Sequence, residues 1–160
     1  MVTDSRFVVD LNVGRLAKWL RVMGYDTLFP REGGDNQLVR IALREGRILV
    51  TRDAGITCRR AVRLGQMQVV HILDHDLRGQ LRQLVRERRL SMTGLFSRCV
   101  RCNDFLHPLP RSEAADRVPP YVLESQSTFM ECLRCLRIFW QGTHWDNMKA
   151  ELCRAQQDTP

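Results

Sequence analysis

The chain has 160 residues, of which 44% are hydrophobic and 27% are charged. This composition is typical of a globular protein and excludes a disordered, collagen-like or disulfide-dense chain. The length predicts one domain with a small accessory module. No apolar run approaches the roughly 18 to 20 residues that span a bilayer, and the first residues do not resemble a signal peptide, so we expect a cytoplasmic protein without a membrane partner.

Arginine dominates the charge of this chain. There are 25 Lys and Arg residues against 18 Asp and Glu residues, a net charge of +7, and only Lys18 and Lys149 are lysines. All of the excess lies in residues 1–90, because residues 91–160 are balanced. A guanidinium group can grip a phosphate with two parallel hydrogen bonds, which makes nucleic acid a reasonable partner. Solvated helix faces and a biased composition explain the same excess equally well.

Four strand-then-helix units follow one another along the first part of the chain. Strands are predicted at 6–11, 25–29, 47–51 and 69–73, and helices at 15–23, 35–45, 54–64 and 77–89. Parallel neighbouring strands need crossover connections of this length. The pattern therefore predicts a small Rossmann-like α/β domain at 1–92, with a parallel sheet and helices on both faces. Ligands of such sheets gather at the carboxyl ends of the strands.

A different pattern begins after that domain. Two Cys-x2-Cys pairs are separated by 29 residues, and their members are Cys99, Cys102, Cys132 and Cys135. Four thiolates at this spacing predict one structural zinc ion per chain in a zinc ribbon over 93–150, followed by a tail at 151–160. Two disulfides are the alternative, disfavoured in a reducing compartment. Cys58 and Cys153 have no such partner and are not proposed as ligands.

Acidic residues stand at the predicted strand and helix ends. Asp10 follows the first strand, Asp35 opens the second helix and Asp53 follows the third strand. In a parallel sheet all three would meet at one edge, where their mutual repulsion calls for a cation. Oxygen ligands suit Mg²⁺ or Mn²⁺, which can activate water for phosphoryl displacement. Asp35 and Asp53 also stand where a helix N-cap is expected.

Further polar residues have two open interpretations each. Asp74 and Asp76, after the fourth strand, either supply a fourth acid or form the turn and cap before the last helix. Arg15 and Arg52 either hold a phosphate of RNA or orient Asp10 and Asp53 as ion pairs. His144 either contacts RNA or makes a structural hydrogen bond.

These residues together resemble the mutator-seven C-terminal RNase domain family. The resemblance covers roughly residues 5–150 and rests on seven segments: Val8–Asp10, Gly14–Arg21, Gly24–Thr27, Ile48–Asp53, Cys99–Asn103, Cys132–Cys135 and Trp140–Trp145. It implies a PIN-like fold followed by a zinc ribbon, and a metal-dependent ribonuclease. It also implies that Asp10, Asp35 and Asp53 are the catalytic acids. The second acidic position often carries Glu in PIN nucleases, and the fourth acid is unclear here, which leaves the number of catalytic metals open.

The leading functional hypothesis is an endoribonuclease whose zinc ribbon aids RNA binding. Water activated by Mg²⁺ or Mn²⁺ would leave a 3′-hydroxyl and a 5′-phosphate. The main alternative is a non-catalytic RNA-binding or adaptor protein with the same fold. A phosphoryl-accepting or phosphatase-like domain is disfavoured, because no Asp-x-Asp follows the first strand. The RNA substrate, action on DNA, protein partners and oligomeric state stay open.

Overall fold

A computed structural model describes residues 5–157 of the chain. The chain divides into two compact units, residues 1–103 and residues 104–160. The domain boundaries predicted from the sequence, at 92/93 and 150/151, stay predictions.

The first unit is built on a four-stranded parallel sheet. Its strands are β1 (Phe7–Val9), β2 (Thr27–Leu28), β3 (Ile48–Thr51) and β4 (Val69–His71), in the order β2-β1-β3-β4. A 3-10 turn (Leu11–Val13) follows β1, and the helices are α1 (Arg15–Val22), α2 (Gly34–Glu45), α3 (Ala54–Thr57), α4 (Arg60–Arg63) and α5 (Leu77–Arg88). This arrangement confirms the predicted parallel α/β fold.

The two central strands, β1 and β3, are apolar because both of their faces are covered. Val8 and Leu49 pack against α2 and α3 through a cluster that includes Ile41 and Ile56. Phe7, the neighbour of Val8, points to the other face, since side chains alternate along a strand. Continuous apolar segments are expected of strands buried in this way.

The prediction of one helix over 54–64 is wrong. Two short helices, α3 and α4, stand there, separated by Cys58 and Arg59, and the backbone of Arg59 is extended at φ −60° and ψ 144°. The segment contains one fully buried side chain, Ile56, and α4 contains none. A longer helix would have no continuous apolar stripe to hold it on the sheet.

The second unit contains a small antiparallel sheet. Its strands are β5 (His107–Leu109), β6 (Phe129–Glu131) and β7 (Ile138–Phe139), in that order, and its helices are α6 (Arg111–Ala114), α7 (Pro120–Ser125) and α8 (Thr143–Gln157). Its core is a small cluster around Leu109, Val122 and Phe129. Among the helices of residues 5–157, none has the length and apolar character to cross a membrane.

A close backbone approach follows α1. Gly24 has φ +92°, and a Cβ atom there would lie 2.3 Å from the carbonyl oxygen of Gly94. Gly65 has a similar φ of +68°, but a Cβ atom there would meet nothing within 4 Å. The two glycines therefore separate the cost of a left-handed backbone from the cost of a steric clash.

We expect Gly24→Ala to destabilise the protein more than Gly65→Ala. Each substitution costs about 1 kcal/mol for the positive φ, and the clash at Gly24 adds roughly 1 to 3 kcal/mol. Urea unfolding of both variants beside the wild type measures the difference. Equal losses of stability would show that the backbone at Gly94 moves aside freely.

Candidate active site and metal centre

The carboxyl ends of β1 and β3 bring two predicted acids to one hydroxyl group. Thr51 Oγ1 donates to Asp10 Oδ2 at 2.6 Å and accepts from the backbone nitrogen of Asp53 at 2.9 Å. Thr51 is fully buried, and Asp10 is only 9% exposed. The backbone nitrogen of Asp10 donates to Val50, so the parallel register itself sets Asp10 beside the end of β3.

Each of these two carboxylates keeps one oxygen for a ligand. Asp53 caps α3, and its Oδ1 accepts from the backbone nitrogen of Gly55 at 2.7 Å. Asp10 uses Oδ2 for Thr51. The described residues supply no hydrogen-bond donor to Asp10 Oδ1 or to Asp53 Oδ2. A pair of half-free carboxylate oxygens at a sheet edge fits a hard divalent cation.

The structure does not join the other predicted acids to this pair. Asp35 lies half-buried in the first turn of α2, and the residue at the N-cap is Gly33 instead. Within residues 5–157, Asp10, Asp35 and Asp53 do not form a group that could hold a metal ion by itself. Asp76 caps α5 by accepting from the backbone nitrogen of Gly79 at 3.0 Å. The carboxylate of Asp74 is exposed and packs on Gly79.

Of the predicted phosphate ligands, Arg15 and Arg52 line one cleft of about 510 Å³, which also includes Arg31 and His75. His144 is exposed in the first turn of α8, in the second unit. Sequence reasoning gave no role to Thr51, Arg31 or His75. For Thr51 the available signal was a hydroxyl residue that ends an apolar strand two positions before an acid.

The four knuckle cysteines form the second site. Their Sγ atoms all lie within 4.8 Å of one another, with Cys99 and Cys132 buried and Cys102 and Cys135 half-buried. Four sulfur ligands around a common centre are the donor set of a tetrahedral structural metal such as zinc. The cluster is consistent with the predicted zinc ribbon and includes neither Cys58 nor Cys153.

The first knuckle is fastened within the first unit by side chains of the α/β domain. Arg21, on α1, donates to the carbonyl oxygens of Val100 and Arg101 at 3.0 and 3.1 Å, and also to Thr27 on β2. Asn103, directly after Cys102, accepts from the backbone nitrogen of Thr27 at 2.9 Å. Two of the four ligands are thus held by the α/β domain.

Asp26 links this knuckle to the sheet. It accepts two hydrogen bonds from the Arg47 guanidinium, at 2.9 and 3.1 Å, and one from Asn103 Nδ2 at 2.7 Å. Burial by itself would raise the pKa of Asp26, but the bonds from Arg47 and Asn103 outweigh it and hold that pKa below its usual range. Burial by itself would lower the pKa of Arg47, but its hydrogen bonds to Asp26 and Glu45 outweigh that effect and raise it.

The fold and the two sites place this protein among parallel α/β domains that carry an acidic sheet edge together with a four-cysteine cluster. The family model described as the Mut7-C RNAse domain matches residues 5–152. The chain therefore belongs to the Mut7-C RNAse domain family, as the sequence resemblance predicted, and this membership indicates a ribonuclease-type function with RNA as substrate. Nothing matches the chain among curated proteins or among solved structures.

We expect Asp26→Asn to lower the free energy of unfolding by about 1 to 3 kcal/mol at pH 7, because the buried Arg47 loses one of its two charged partners and keeps only Glu45. A depressed pKa stabilises the fold only while the carboxyl is ionised. The difference in the free energy of unfolding between wild type and variant is therefore largest at neutral pH and shrinks as the pH falls below about 4. Urea unfolding at several pH values, with both proteins under identical metal conditions, measures it. A difference that stays constant down to pH 3 would contradict this account.

Proposed function

We propose that the chain is a Mg²⁺- or Mn²⁺-dependent endoribonuclease with its hydrolytic centre at the ends of β1 and β3. The observation that supports this most strongly is the shared hydrogen bonding of Asp10 and Asp53 to the hydroxyl of Thr51. Thr51 holds one oxygen of the Asp10 carboxylate and leaves the other available to a ligand, which suits an acid that binds a hard divalent cation.

Asp10 and Asp53 are the proposed cation ligands, and Asp35 is the third acid of the set. When bound, the cation supplies an activated water and stabilises charge on the leaving oxygen. Thr51 holds Asp10 in one orientation, and the capping bond to Gly55 does the same for Asp53.

The arginines beside the acids are the proposed phosphate ligands. Arg52 lies between Thr51 and Asp53 in the chain, and Arg15 opens α1 just after the 3-10 turn that follows Asp10. Two guanidinium groups there would neutralise the phosphodiester as the added oxygen gives it further negative charge. Hydrolysis forms one P–O bond to water and breaks the bond to the 3′-oxygen, which takes up a proton. The products are a 5′-phosphate and a 3′-hydroxyl.

The four cysteines are proposed to hold one zinc ion with a structural role. Four thiolates leave no open coordination position, so the ion would brace the ribbon and would not take part in hydrolysis. In this proposal the ribbon extends the surface that contacts RNA, and His144 is a candidate contact on it.

A non-catalytic RNA-binding protein is the second candidate. It is favoured by the separation of Asp35 from Asp10 and Asp53 in the described part of the chain. This candidate predicts that the protein binds RNA in a salt-sensitive manner and does not cleave it.

Replacing Asp10 tests the nuclease proposal. We expect Asp10→Asn to slow Mn²⁺-dependent RNA cleavage at least about 100-fold, and Thr51→Val to slow it about 10- to 100-fold, in the range found for groups that orient metal ligands. End-labelled RNA with Mn²⁺, Mg²⁺ or neither, resolved on a gel, measures the rates.

The matched control is Asp116→Asn, which makes the same change at an exposed acid in the second unit. It should cleave at the wild-type rate. Intact RNA with the wild-type protein in every metal, together with a mobility shift, would favour the binding candidate. Equal cleavage by Asp10→Asn and the wild type would place the hydrolytic centre elsewhere.

Metal analysis tests the cysteine cluster separately. We expect one zinc ion per chain in the wild type and a large loss of zinc in Cys132→Ser, because a structural zinc site needs all four ligands. Cys58→Ser, at an exposed cysteine outside the cluster, should keep its zinc. Full zinc content in Cys132→Ser would refute the assignment.

A further inference from the structure

A cleft of about 510 Å³ in the first unit has a strongly one-sided charge. Its charged and titratable lining residues are Arg15, Arg31, Arg52 and His75, and none of the described residues that line it is acidic. Its volume falls within the roughly 300 to 1,000 Å³ of small-molecule sites. Three guanidinium groups around one cavity repel one another unless an anion joins them.

These arginines are not neutralised by the protein. Within the described residues, Arg15, Arg31 and Arg52 form no ion pair with a carboxylate, whereas Arg47, at the start of β3, is paired with both Asp26 and Glu45. The cleft therefore offers uncompensated positive charge, in the planar donor geometry that binds phosphate oxygens.

Arg52 is held in place from three sides. Its backbone nitrogen donates to Asn12 Oδ1 at 3.1 Å, and its carbonyl oxygen lies 3.2 Å from His71 Nε2. Its Nη2 donates to His75 Nδ1 at 2.7 Å. A guanidinium group has five N–H donors, so most of them remain for a ligand. Because His75 accepts through Nδ1, its neutral ring carries the proton on Nε2 and is a second donor.

Phe29 forms an aromatic wall of the same cleft. The guanidinium of Arg31 lies over its ring, 4.4 Å from the centroid. The ring packs directly on the backbone of Gly14, where a Cβ atom would lie 2.3 Å from Cζ. The absence of a side chain at position 14 thus leaves the space that the ring occupies. Aromatic rings and guanidinium planes are the surfaces on which unpaired bases stack.

We propose that this cleft binds one phosphorylated nucleotide of single-stranded RNA. The phosphate contacts Arg15, Arg52 and His75, and the base stacks on the wall formed by Phe29 and Arg31. This inference rests on the proposed function for the identity of the substrate strand, but nucleotide binding in the cleft requires no cleavage. The phosphate is either the 5′-terminal group of a strand or an internal phosphodiester.

Calorimetric titration without added Mg²⁺ or Mn²⁺ tests the proposal with AMP, adenosine and inorganic phosphate. We expect AMP to bind at least tenfold more tightly than adenosine. Arg31→Gln should weaken AMP binding at least fivefold, whereas Phe29→Leu should weaken AMP binding and leave phosphate binding unchanged. Arg63→Gln, an equal change of charge at an exposed arginine of α4, is the matched control and should bind AMP like the wild type.

Two results would overturn the proposal. One is equal affinity for AMP and adenosine, and the other is an equal effect of Arg31→Gln and Arg63→Gln. Titration with a trinucleotide carrying a 5′-phosphate or a 5′-hydroxyl then identifies the phosphate: a preference for the former supports the terminal group, and equal binding supports an internal diester.

The failure of the cleft and the failure of the nuclease proposal give different results. Tight AMP binding that depends on Arg31, with RNA left intact in Mn²⁺, would support nucleotide binding in the cleft and contradict the nuclease proposal. Metal-dependent cleavage with no AMP binding would support the nuclease proposal and contradict nucleotide binding in the cleft.

Discussion

The burial of one carboxylate governs the acidic edge of this protein. Taking Asp10 out of water costs free energy unless a donor meets it, and Thr51 supplies that donor from the neighbouring strand. The same hydroxyl accepts from the backbone of Asp53 and so fixes the start of α3. One side chain in the centre of a parallel sheet thus orients the carboxylate of Asp10 and the backbone of Asp53, and the register between β1 and β3 places it there. The proposed chemistry depends on this register.

The cysteine cluster depends on a second set of polar contacts. Asp26, Asn103 and Arg21 connect the first knuckle to β2, β3 and α1 through hydrogen bonds to side chains and carbonyl groups. The positions of Cys99 and Cys102 therefore follow from the packing of the α/β domain, and a metal bound there would stabilise that packing in return. In this way the acidic edge and the first knuckle rest on one scaffold.

Local patterns in the sequence predicted the strands, the two Cys-x2-Cys pairs and the cap at Asp53, because each of these depends on residues close together in the chain. The prediction of a continuous helix at 54–64 was wrong. The number of side chains that are buried there depends on contacts with the sheet, which the local sequence pattern does not contain. The roles of Phe29 and Arg31 could not be predicted either, and the role of Thr51 had one local signal, a hydroxyl residue two positions before an acid. They arise from pairing between strands and from a loop that folds onto Gly14. The predicted meeting of Asp35 with Asp10 and Asp53 is not seen as a preformed group in the described residues.

We propose that Asp10 and Asp53 hold a divalent cation that hydrolysis of RNA requires. The most direct test of this proposal is a titration of Mn²⁺ followed by electron paramagnetic resonance, with wild type and Asp10→Asn in parallel and with RNA cleavage measured at each Mn²⁺ concentration. We expect a bound Mn²⁺ in the wild type that the variant lacks, and a cleavage rate that rises with the occupancy of that site. Equal Mn²⁺ binding by the two proteins, or cleavage that does not follow occupancy, would contradict it.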